Sequence, residues 1–359
     1  MSDTTIIGGG IAGTVLAAAL ARAGHTTTLL EQQPAETSGG GGAFLFLDAR
    51  GHEALYGLGV DQTALFSASH AIDGLDYTTS TGIHSSRMDR GHRFWLRRNL
   101  ISVLQEYLDG ADAHVHHGAA VTGITRDAEA LLLHRDGLEA LLITDELVIG
   151  ADGIDSVVRA EVEPERVPTY SGDIVLYGMT AAHLELPTTP DVLHFYAEVA
   201  PGGPASTFGH VWSRAEGTTA LWFLRIPREP LERDDLGMRP VAEWNATVLE
   251  ATPSNGAIVE TLLAHTDSVH VSNARDVLLD GAADPGNRVL LIGDADHAIT
   301  PAAGIGARDA LEDAHAVYQA ITTGGSPAAA MAARRQKILT DRAAARRVTP
   351  RPPNASSRA

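Results

Sequence analysis

The chain has 359 residues, of which 44% are hydrophobic and 20% are charged, and it carries a formal net charge of -18 and no cysteine. Its length exceeds the usual size of one domain, so we expect a large core or two domains that share a ligand. The negative charge argues against a nucleic-acid or anionic-membrane surface, and the lack of cysteine excludes disulfides and thiolate chemistry. Neither a secretory leader pattern nor an apolar run of roughly 18 residues occurs, so we expect a cytoplasmic protein with no membrane and no nucleic-acid partner.

The first strong motif follows a short β-prone run at residues 4 to 8. Gly8, Gly10 and Gly13 have G-x-G-x-x-G spacing and precede an alanine-rich helical segment. The first glycine of such a motif makes a tight turn, the second lets the backbone approach a pyrophosphate, and the third lets helix and strand pack closely. Glu31 ends the next β-prone run, where an acidic side chain accepts hydrogen bonds from a ribose. This order predicts a site for FAD or NAD rather than NADP. Further candidate residues beside the motif are Ile11, Ala12 and Gln32.

The chain after Glu31 lacks the repeated strands and helices of a nicotinamide domain. Four glycines at 39 to 42 predict a flexible loop, for which a plain linker is an equal alternative. Two later segments, "LLITDELVIGADGIDSVVR" and "RVLLIGD", each combine an apolar strand with an Asp-Gly or Gly-Asp turn, at Asp152 and Asp294. A turn-stabilising aspartate is the alternative interpretation of each acid. Two such turns after two apolar strands favour a binding role instead.

Together these motifs resemble those of the group A FAD-dependent aromatic hydroxylases of the p-hydroxybenzoate hydroxylase superfamily. The glycine motif, the "DG" motif in GADGIDSVVR and the "GD" motif in GDADHAITPAAGIGARDALEDA occur in the family's order. The resemblance implies FAD as the bound cofactor, NADPH or NADH as a transient reductant, O2 as co-substrate and a small aromatic or polycyclic substrate. The oligomeric state, monomer or homodimer, stays open.

The resemblance also implies roles for individual residues. Arg97 matches the arginine of the family's R-x-x-L-x-x-x-L helix, which contacts the FAD linker, although Arg98 is a neighbouring alternative. Asp152 and Gly153 match the motif implicated in contacts with FAD and NAD(P)H. Asp294 matches the residue near the ribityl chain and pyrophosphate. The residues that would line the isoalloxazine are Pro301, Gly304, Ile305, Gly306 and Ala307.

Two residues depart from the family's P-x-x-G-Q-G-x-N pattern. Ile305 replaces the usual Gln and Arg308 the usual Asn, which removes side-chain polarity near the pyrimidine edge of the flavin. Arg308 either supplies positive charge near the flavin or pairs with Asp309, Glu312 or solvent. Arg50, close to the family's flavin-facing loop, is a minor candidate. A helix that begins at the glycines of this motif would direct its positive end at the pyrimidine, where negative charge accumulates on reduction.

The predicted fold class is mixed α/β (α+β). A Rossmann-like FAD-binding domain is interleaved with a mostly antiparallel β-sheet substrate domain, and a C-terminal helix follows. The predicted boundaries are 1–68, 97–165 and 278–320 for the FAD-binding domain, 69–96 and 166–277 for the substrate-binding sheet, 321–349 for the C-terminal helix, and 350–359 for a flexible tail.

No catalytic residue is identified outright. Polar and aromatic residues of the predicted sheet are candidates for the substrate pocket, and about half should face away because strand side chains alternate. These candidates are Tyr177, Tyr196, His210, Trp212, Trp222 and Arg225. His210 is the best candidate for a base that deprotonates a phenolic substrate, with a structural histidine as the alternative. No metal site is expected, because the "HVHH" run at 114–117 lacks an accompanying carboxylate cluster.

The leading hypothesis is an NAD(P)H-dependent FAD monooxygenase that hydroxylates or epoxidises an aromatic or polycyclic small molecule, in natural-product biosynthesis or the modification of aromatic compounds and antibiotics. One alternative is an FAD-containing reductase or cyclase without oxygen insertion, and another is a non-catalytic flavin- or ligand-binding protein. A flavin-dependent halogenase is disfavoured because no W-x-W-x-I-P segment occurs and Lys337, the single lysine, lies in the predicted terminal helix.

Overall fold

The structure is a computed structural model, and it describes residues 3–35, 44–80, 82, 84–88, 91–126, 130–144, 147–198, 206–215, 217–300 and 305–348. The strands of these residues, in chain order, are β1 (Thr4–Ile7), β2 (Thr27–Leu30), β3 (Phe44–Leu47), β4 (His70–Ala71), β5 (Gly74–Thr79), β6 (His84–Met88), β7 (Arg93–Leu96), β8 (His114–His116), β9 (Val121–Arg126), β10 (Ala130–Arg135), β11 (Leu138–Thr144), β12 (Leu147–Gly150), β13 (Thr169–Met179), β14 (Val192–Glu198), β15 (Ser206–Val211), β16 (Leu221–Pro227), β17 (Gly237–Pro240), β18 (Ser268–Asp276) and β19 (Val289–Leu291). The helices are α1 (Ile11–Arg22), α2 (Ala49–Gly57), α3 (Gln62–Ser67), α4 (Arg97–Asp109), α5 (Val157–Val162), α6 (Asn245–Ala251), α7 (Gly256–Ala264), α8 (Asp294–His297), α9 (Gly306–Thr322) and α10 (Pro327–Val348).

A parallel sheet in the order β19-β12-β1-β2-β8 forms the first layer. Its inner strands are short apolar runs buried on both faces, as expected when helices cover a parallel sheet. Helix α1 connects β1 to β2, and its alanines allow close packing against the sheet and against α4 and α9. The carboxyl ends of β1, β12 and β19 lie side by side, because the register pairs Ile7 with Gly150 and Gly150 with Leu291.

The second layer is a mixed, mostly antiparallel sheet in the order β17-β18-β13-β16-β15-β14-β5-β6. Alternation along β13 sends Ile174 and Leu176 into a core shared with α6 and α7. Tyr177 and Met179 fall on the opposite face, which packs against β3 and β7. The large sheet is therefore covered on both faces, and its second face is directed towards the parallel-sheet layer.

Two three-stranded sheets complete the β structure of the described residues. Strands β9, β10 and β11 form an antiparallel meander, and β3, β7 and β4 form a small sheet beside the large one. The segment 69–96, predicted for the substrate-binding sheet, contributes β4 and β7 to this small sheet and β5 and β6 to the large one. The mixed α/β architecture confirms the predicted fold class.

The long C-terminal helix α10 packs along α9 and carries buried arginines. Arg334 contacts Glu312 and Asp313, and Arg335 contacts Asp296. The basic side chains of this helix therefore neutralise acids of the protein body. The predicted tail at 350–359 lies outside the described residues. None of the helices in the described part of the chain is both long and apolar enough to cross a lipid bilayer.

Candidate functional site

The glycine turn after β1 has the shape that a pyrophosphate site requires. A Cβ on Gly13 would lie 1.9 Å from the carbonyl oxygen of Gly8, and one on Gly8, where φ is 104°, would lie 2.4 Å from the carbonyl oxygen of Ala151. A Cβ on Gly10 would meet no atom within 4 Å. The first and third glycines are thus needed for packing, whereas the second borders open space. Helix α1 begins directly after Gly10 without a side-chain cap, so its first N–H groups can bind a phosphate.

Glu31 is buried at the end of β2, beside the glycine turn. Its Oε2 accepts a hydrogen bond of 2.6 Å from the backbone N–H of Gly9, and its Oε1 accepts one of 2.7 Å from the backbone N–H of Gln33. These bonds fix the carboxylate, and each oxygen retains capacity to accept a further hydrogen bond. Among the other predicted residues of this end, Ile11 opens α1 half-buried, Ala12 is buried and Gln32 is exposed.

Asp152 follows β12 and carries a buried oxygen that lacks a partner. Its Oδ2 accepts hydrogen bonds from the backbone N–H groups of Val157 at 2.8 Å and Val158 at 3.3 Å, at the start of α5. Its Oδ1 is buried and accepts no hydrogen bond from the described residues. Burial raises the pKa of the Asp152 carboxyl group despite these bonds. Gly153 has a φ of 82°, and a Cβ there would meet no atom within 4 Å. An unpaired buried acceptor next to an open glycine is suited to a donor from a ligand.

Asp294 and Arg97 lie close enough for their charges to affect each other's pKa. Burial raises the pKa of Asp294, while the positive charges of His297 and Arg97 oppose that rise. The Asp294 side chain is nevertheless exposed. A carboxylate in a narrow cleft can have both an exposed side chain and a pKa raised by the surrounding protein. Arg97 is half-buried at the start of α4, and burial lowers its pKa. Its neighbour Arg98 is exposed and instead lines a separate cavity of about 280 Å³ with Phe94, Leu221 and Trp212 among its walls.

The N-terminus of α9 lies beside Asp294. A Cβ on Gly306, the first residue of α9, would lie 3.9 Å from Asp294 Oδ1, and no side chain caps the helix. The first N–H groups of α9 are therefore available to a ligand that passes Asp294. Ile305 and Ala307 are half-buried on either side of Gly306. The predicted Pro301 and Gly304 lie outside the described residues.

Arg308 and Arg50 are both held in ion pairs. Arg308 is buried, and its guanidinium donates to Asp309 Oδ1 at 2.8 and 3.1 Å and to Asp48 Oδ2 at 3.2 Å. Of the alternatives for Arg308, the structure shows pairing with Asp309, with Asp48 as an additional partner. Arg50 forms a bidentate pair with Glu312 and a second pair with Asp341 on α10. Arg50 therefore ties helices together and takes no part in the site.

Aromatic side chains separate the parallel-sheet layer from the large sheet. Tyr177 meets Phe44 edge to face with ring centroids 5.3 Å apart, and Phe223 lies 6.4 Å from Phe44. The full group, named here the aromatic layer, is Phe44, Phe46, Phe94, Tyr177, Phe195 and Phe223. Burial raises the pKa of Tyr177 well above its usual range, so its hydroxyl stays protonated. The layer can hold a flat apolar compound and exclude water from it.

Arg225 lies on the same face of the large sheet as Tyr177. The register pairs Arg225 with Val175 and Phe223 with Tyr177, which places all four side chains on one face. Its guanidinium donates to Thr207 Oγ1 at 3.2 Å and lies 3.8 Å from an oxygen of Asp173. The Arg225 Nε is buried without a hydrogen-bond partner among the described residues. Arg225 thus adds an incompletely paired cation to this face.

His210 lies on the opposite face of the large sheet. It is fully buried, stacks between Tyr196 and Phe208, and shares a hydrogen bond of 2.9 Å with Thr188 through Nε2. Burial and the neighbouring His194 lower the pKa of His210 to about 3. Because this face packs on α6 and α7, His210 cannot contact a ligand beside Tyr177, which removes it from the candidate bases.

The other sheet candidates also separate by face. Trp222 is buried on the α6 and α7 side and donates its indole N–H to Thr266, and Tyr196 packs in the same core. Trp212 donates to Thr188 and borders the cavity of about 280 Å³. Phe44 and Phe46 were not predicted as site residues. Their alternation with leucine in "FLFL" could have indicated a strand with one aromatic face. No group of metal-binding side chains occurs within the described ranges.

The glycine turn, the fixed Glu31 and the aligned Asp152 and Asp294 define a dinucleotide-binding protein of the Rossmann type. The chain matches the family described as FAD binding domain over residues 1–332, and it belongs to that family. It is 28% identical over 351 residues to kynurenine 3-monooxygenase of Salinispora arenicola, which covers 91% of this chain and 74% of that protein. It is 30% identical over 356 residues to aurachin C monooxygenase/isomerase of Stigmatella aurantiaca, covering 94% and 85%.

The fold also occurs in solved flavoprotein structures. The crystal structure of CtdE in complex with FAD and a substrate superposes with a TM-score of 0.76 at 19% identity, covering 95% of this chain and 87% of that one. Family membership and these relatives make the protein a flavin monooxygenase.

The residues present fit an FAD molecule. The open side of Gly10 allows a pyrophosphate to approach, the unpartnered Asp152 Oδ1 can accept a hydrogen bond from an N–H or O–H group of the cofactor, and Asp294 lies beside the start of α9. Glu31 is placed to accept hydrogen bonds from a ribose at the other end.

Proposed function

We propose that this protein inserts one oxygen atom of O2 into an aromatic small molecule at the expense of NADH or NADPH. The balanced reaction is substrate-H plus O2, NAD(P)H and a proton to give substrate-OH, NAD(P)+ and water. Bound FAD would supply the electron transfer and the oxygen chemistry. The protein's own residues would bind the cofactor, orient the substrate and keep water out.

The observation that carries the proposal is that strand β3 contacts helix α9 of the cofactor site and also supplies Phe44 and Phe46 to the aromatic layer. Asp294 and the start of α9 mark the inner part of the cleft. Strand β3 brings Phe44 from the parallel-sheet side into contact with Tyr177 of the large sheet. An aromatic compound held against this layer would lie between the two layers of the fold, where an apolar enclosure excludes water.

Three features of the chain would assist the reaction. The uncapped N–H groups of α9 would stabilise negative charge on the pyrimidine side of a reduced flavin. Arg97 and Asp294 would hold the linker region of the cofactor by charge and hydrogen bonds. The protonated hydroxyl of Tyr177 and the partly paired Arg225 are the polar groups available to orient a substrate on the sheet face.

The names of the relatives supply the first compounds to test. They are named for kynurenine and aurachin C, so these two compounds and simple hydroxylated benzoates start a substrate screen. We propose an aromatic or polycyclic compound of this size class, because flat rings suit the enclosure formed by Phe44, Tyr177 and Phe223.

The test is to purify the protein with its flavin and measure NADH and NADPH oxidation and oxygen uptake with each compound. We expect one compound to accelerate both and to gain the mass of one oxygen atom. Faster NAD(P)H oxidation without an oxygenated product would support a reductase instead. Absence of bound or bindable FAD would overturn the proposal altogether. The variant Gly10→Val serves as the matched negative, because it should fold normally while binding the cofactor at least about tenfold more weakly.

A further inference from the structure

Asp313 is a buried acid beneath the Gly293-Asp294 turn and has no role in the proposed reaction. Asp313, on α9, is fully buried. Its Oδ2 accepts a hydrogen bond of 3.0 Å from the backbone N–H of Gly293 and one of 2.5 Å from His297 Nε2. Its Oδ1 accepts a hydrogen bond of 2.9 Å from Arg334 Nε on α10. One carboxylate thus joins both ends of the short helix α8 to two long helices.

The residue between these two anchor points is Asp294. Gly293 has a φ of 59°, and a Cβ there would lie 3.1 Å from the Cβ of Ala310, so the turn has little freedom to shift. Because α8 spans only Asp294–His297, fixing Gly293 and His297 determines where the Asp294 side chain points. That side chain is the one exposed to the cofactor cleft.

The underside of the turn is secured at a further residue. Asp296 is fully buried and accepts hydrogen bonds from Arg335 Nη2 at 2.6 Å and Arg335 Nε at 2.8 Å. Asp294 is therefore directed at the cleft, whereas Asp296 is bound by Arg335 and His297 by Asp313 on the opposite side of the turn. The charges on both sides are complementary, so the turn is anchored without leaving an excess of like charge in the core.

We propose that Asp313 is a positioning residue for FAD, acting through Gly293 and His297 on Asp294, and that Arg334 makes the C-terminal helix part of this support. The inference rests on the proposed function only in requiring that the cleft bind FAD. It assigns Asp313 no contact with cofactor or substrate. Loss of the Asp313 charge should therefore weaken FAD binding by more than its effect on overall stability explains.

The test compares FAD affinity with thermal unfolding in three single variants and one double variant. Asp313→Asn and His297→Gln each remove the ionic contact, and Glu198→Gln is the matched control. Glu198 is also a buried acid with three hydrogen bonds, from Ser254 and Asn255, but it lies at the end of strand β14 in the large sheet. Each protein is stripped of flavin and titrated with FAD while flavin fluorescence is followed, and the unfolding temperature of the stripped protein is recorded.

We expect Asp313→Asn to raise the Kd for FAD at least about tenfold, or about 1.4 kcal/mol. His297→Gln should act in the same direction, and the double variant should bind no more weakly than Asp313→Asn alone because the two residues act as one unit. Glu198→Gln should lower the unfolding temperature with a Kd within about twofold of wild type. If Asp313→Asn does not fold, His297→Gln decides the question alone. A Kd for FAD that is unchanged in the folded variants overturns the inference, whereas a wild-type protein that binds no FAD overturns the proposed function.

Discussion

Gly13 packs so closely on Gly8 that a Cβ on Gly13 would lie 1.9 Å from the carbonyl oxygen of Gly8. Gly10, between them, would place its Cβ in open space. The same spaced glycines thus serve two separable purposes. Gly8 and Gly13 allow the fold to close, and Gly10 allows a ligand to approach the backbone.

Substitutions at Gly13 and Gly10 should therefore have opposite consequences. Gly13→Ala should destabilise the protein by about 2 kcal/mol or more, because strand and helix must separate to admit the methyl group. Gly10→Val should unfold at nearly the wild-type temperature but bind FAD at least about tenfold more weakly, since its side chain fills the approach of the pyrophosphate. Thermal unfolding and FAD titration of the stripped proteins measure both effects. A Gly10→Val protein that binds FAD normally would contradict the assigned site.

The two adjacent arginines of α4 should differ in their effect on FAD. Arg97→Met removes a cation that faces Asp294, and we expect the Kd for FAD to rise roughly tenfold, because a charged hydrogen bond or ion pair in a partly buried site is lost. Arg98→Met is the control, because Arg98 is an exposed residue that lines the cavity of about 280 Å³. Equal effects of the two variants on the Kd would mean that Arg97 has no specific role.

Tyr177 and His210 offer a test of which sheet face binds the substrate. Tyr177→Phe keeps the aromatic ring and removes the hydroxyl, so KM for the substrate should rise roughly three- to tenfold while the unfolding temperature changes little. His210→Gln should lower the unfolding temperature but leave the pH profile of kcat unchanged, because the imidazole is buried on the other face. A loss of the acidic limb of the profile, which a general base causes when it becomes protonated, would reverse this assignment if it were seen in His210→Gln.

Restoring the family's usual residue at position 308 should harm this protein. Arg308→Asn removes the cation shared by Asp309 and Asp48, leaving Asp309 with Arg342 at 3.8 Å, and we expect a loss of about 3 kcal/mol of unfolding free energy. FAD affinity should stay within about twofold of wild type, since the charge of Arg308 is already neutralised. Urea unfolding provides the measurement, with Arg126→Asn at an exposed position as the control. An unchanged stability together with weaker FAD binding would show that Arg308 serves the flavin directly.

The pair of His297 and Asp313 predicts a pH dependence of stability. Although burial alone lowers the pKa of His297, the charge and hydrogen bond of Asp313 raise it above 6.5. The folded state therefore retains a proton that the unfolded state releases, so this stabilisation is complete below pH 6.5 and is lost as pH rises through the folded pKa. The difference in unfolding free energy between wild type and His297→Gln should shrink steadily above pH 6.5 in urea melts. A difference that stays constant or grows would contradict the raised pKa.

The parallel-sheet layer was predictable because its signals are local. Strand, glycine turn, helix and acid follow one another within residues 4 to 31, and each has a physical reason visible in the sequence. The two later Asp turns could be located in the same way. The fold class followed from these motifs together with the β-rich segment between them.

The faces of the large sheet were not predictable, because alternation gives two sets of residues without saying which set faces which layer. His210 and Tyr177 both had suitable chemistry, and only the packing of α6 and α7 separates them. The partners of Arg50, and Asp48 as the second partner of Arg308, could not be predicted for a related reason. Arg50 meets Glu312 from 262 positions away, and no local pattern encodes such a distance.

The strands of the parallel sheet come from residues 4 to 291, and the acids beneath its Gly-Asp turn, Asp313 and Asp296, form ion pairs with Arg334 and Arg335 of α10. During synthesis, β12 and β19 are made long after β1. The part of the parallel sheet beside the glycine turn is therefore completed only when most of the chain has been synthesised. Nascent fragments that end before α9 would lack the inner half of the cleft. We therefore expect FAD to bind only after α9 and α10 have been synthesised, because the acids beneath the Gly-Asp turn pair with arginines of α10.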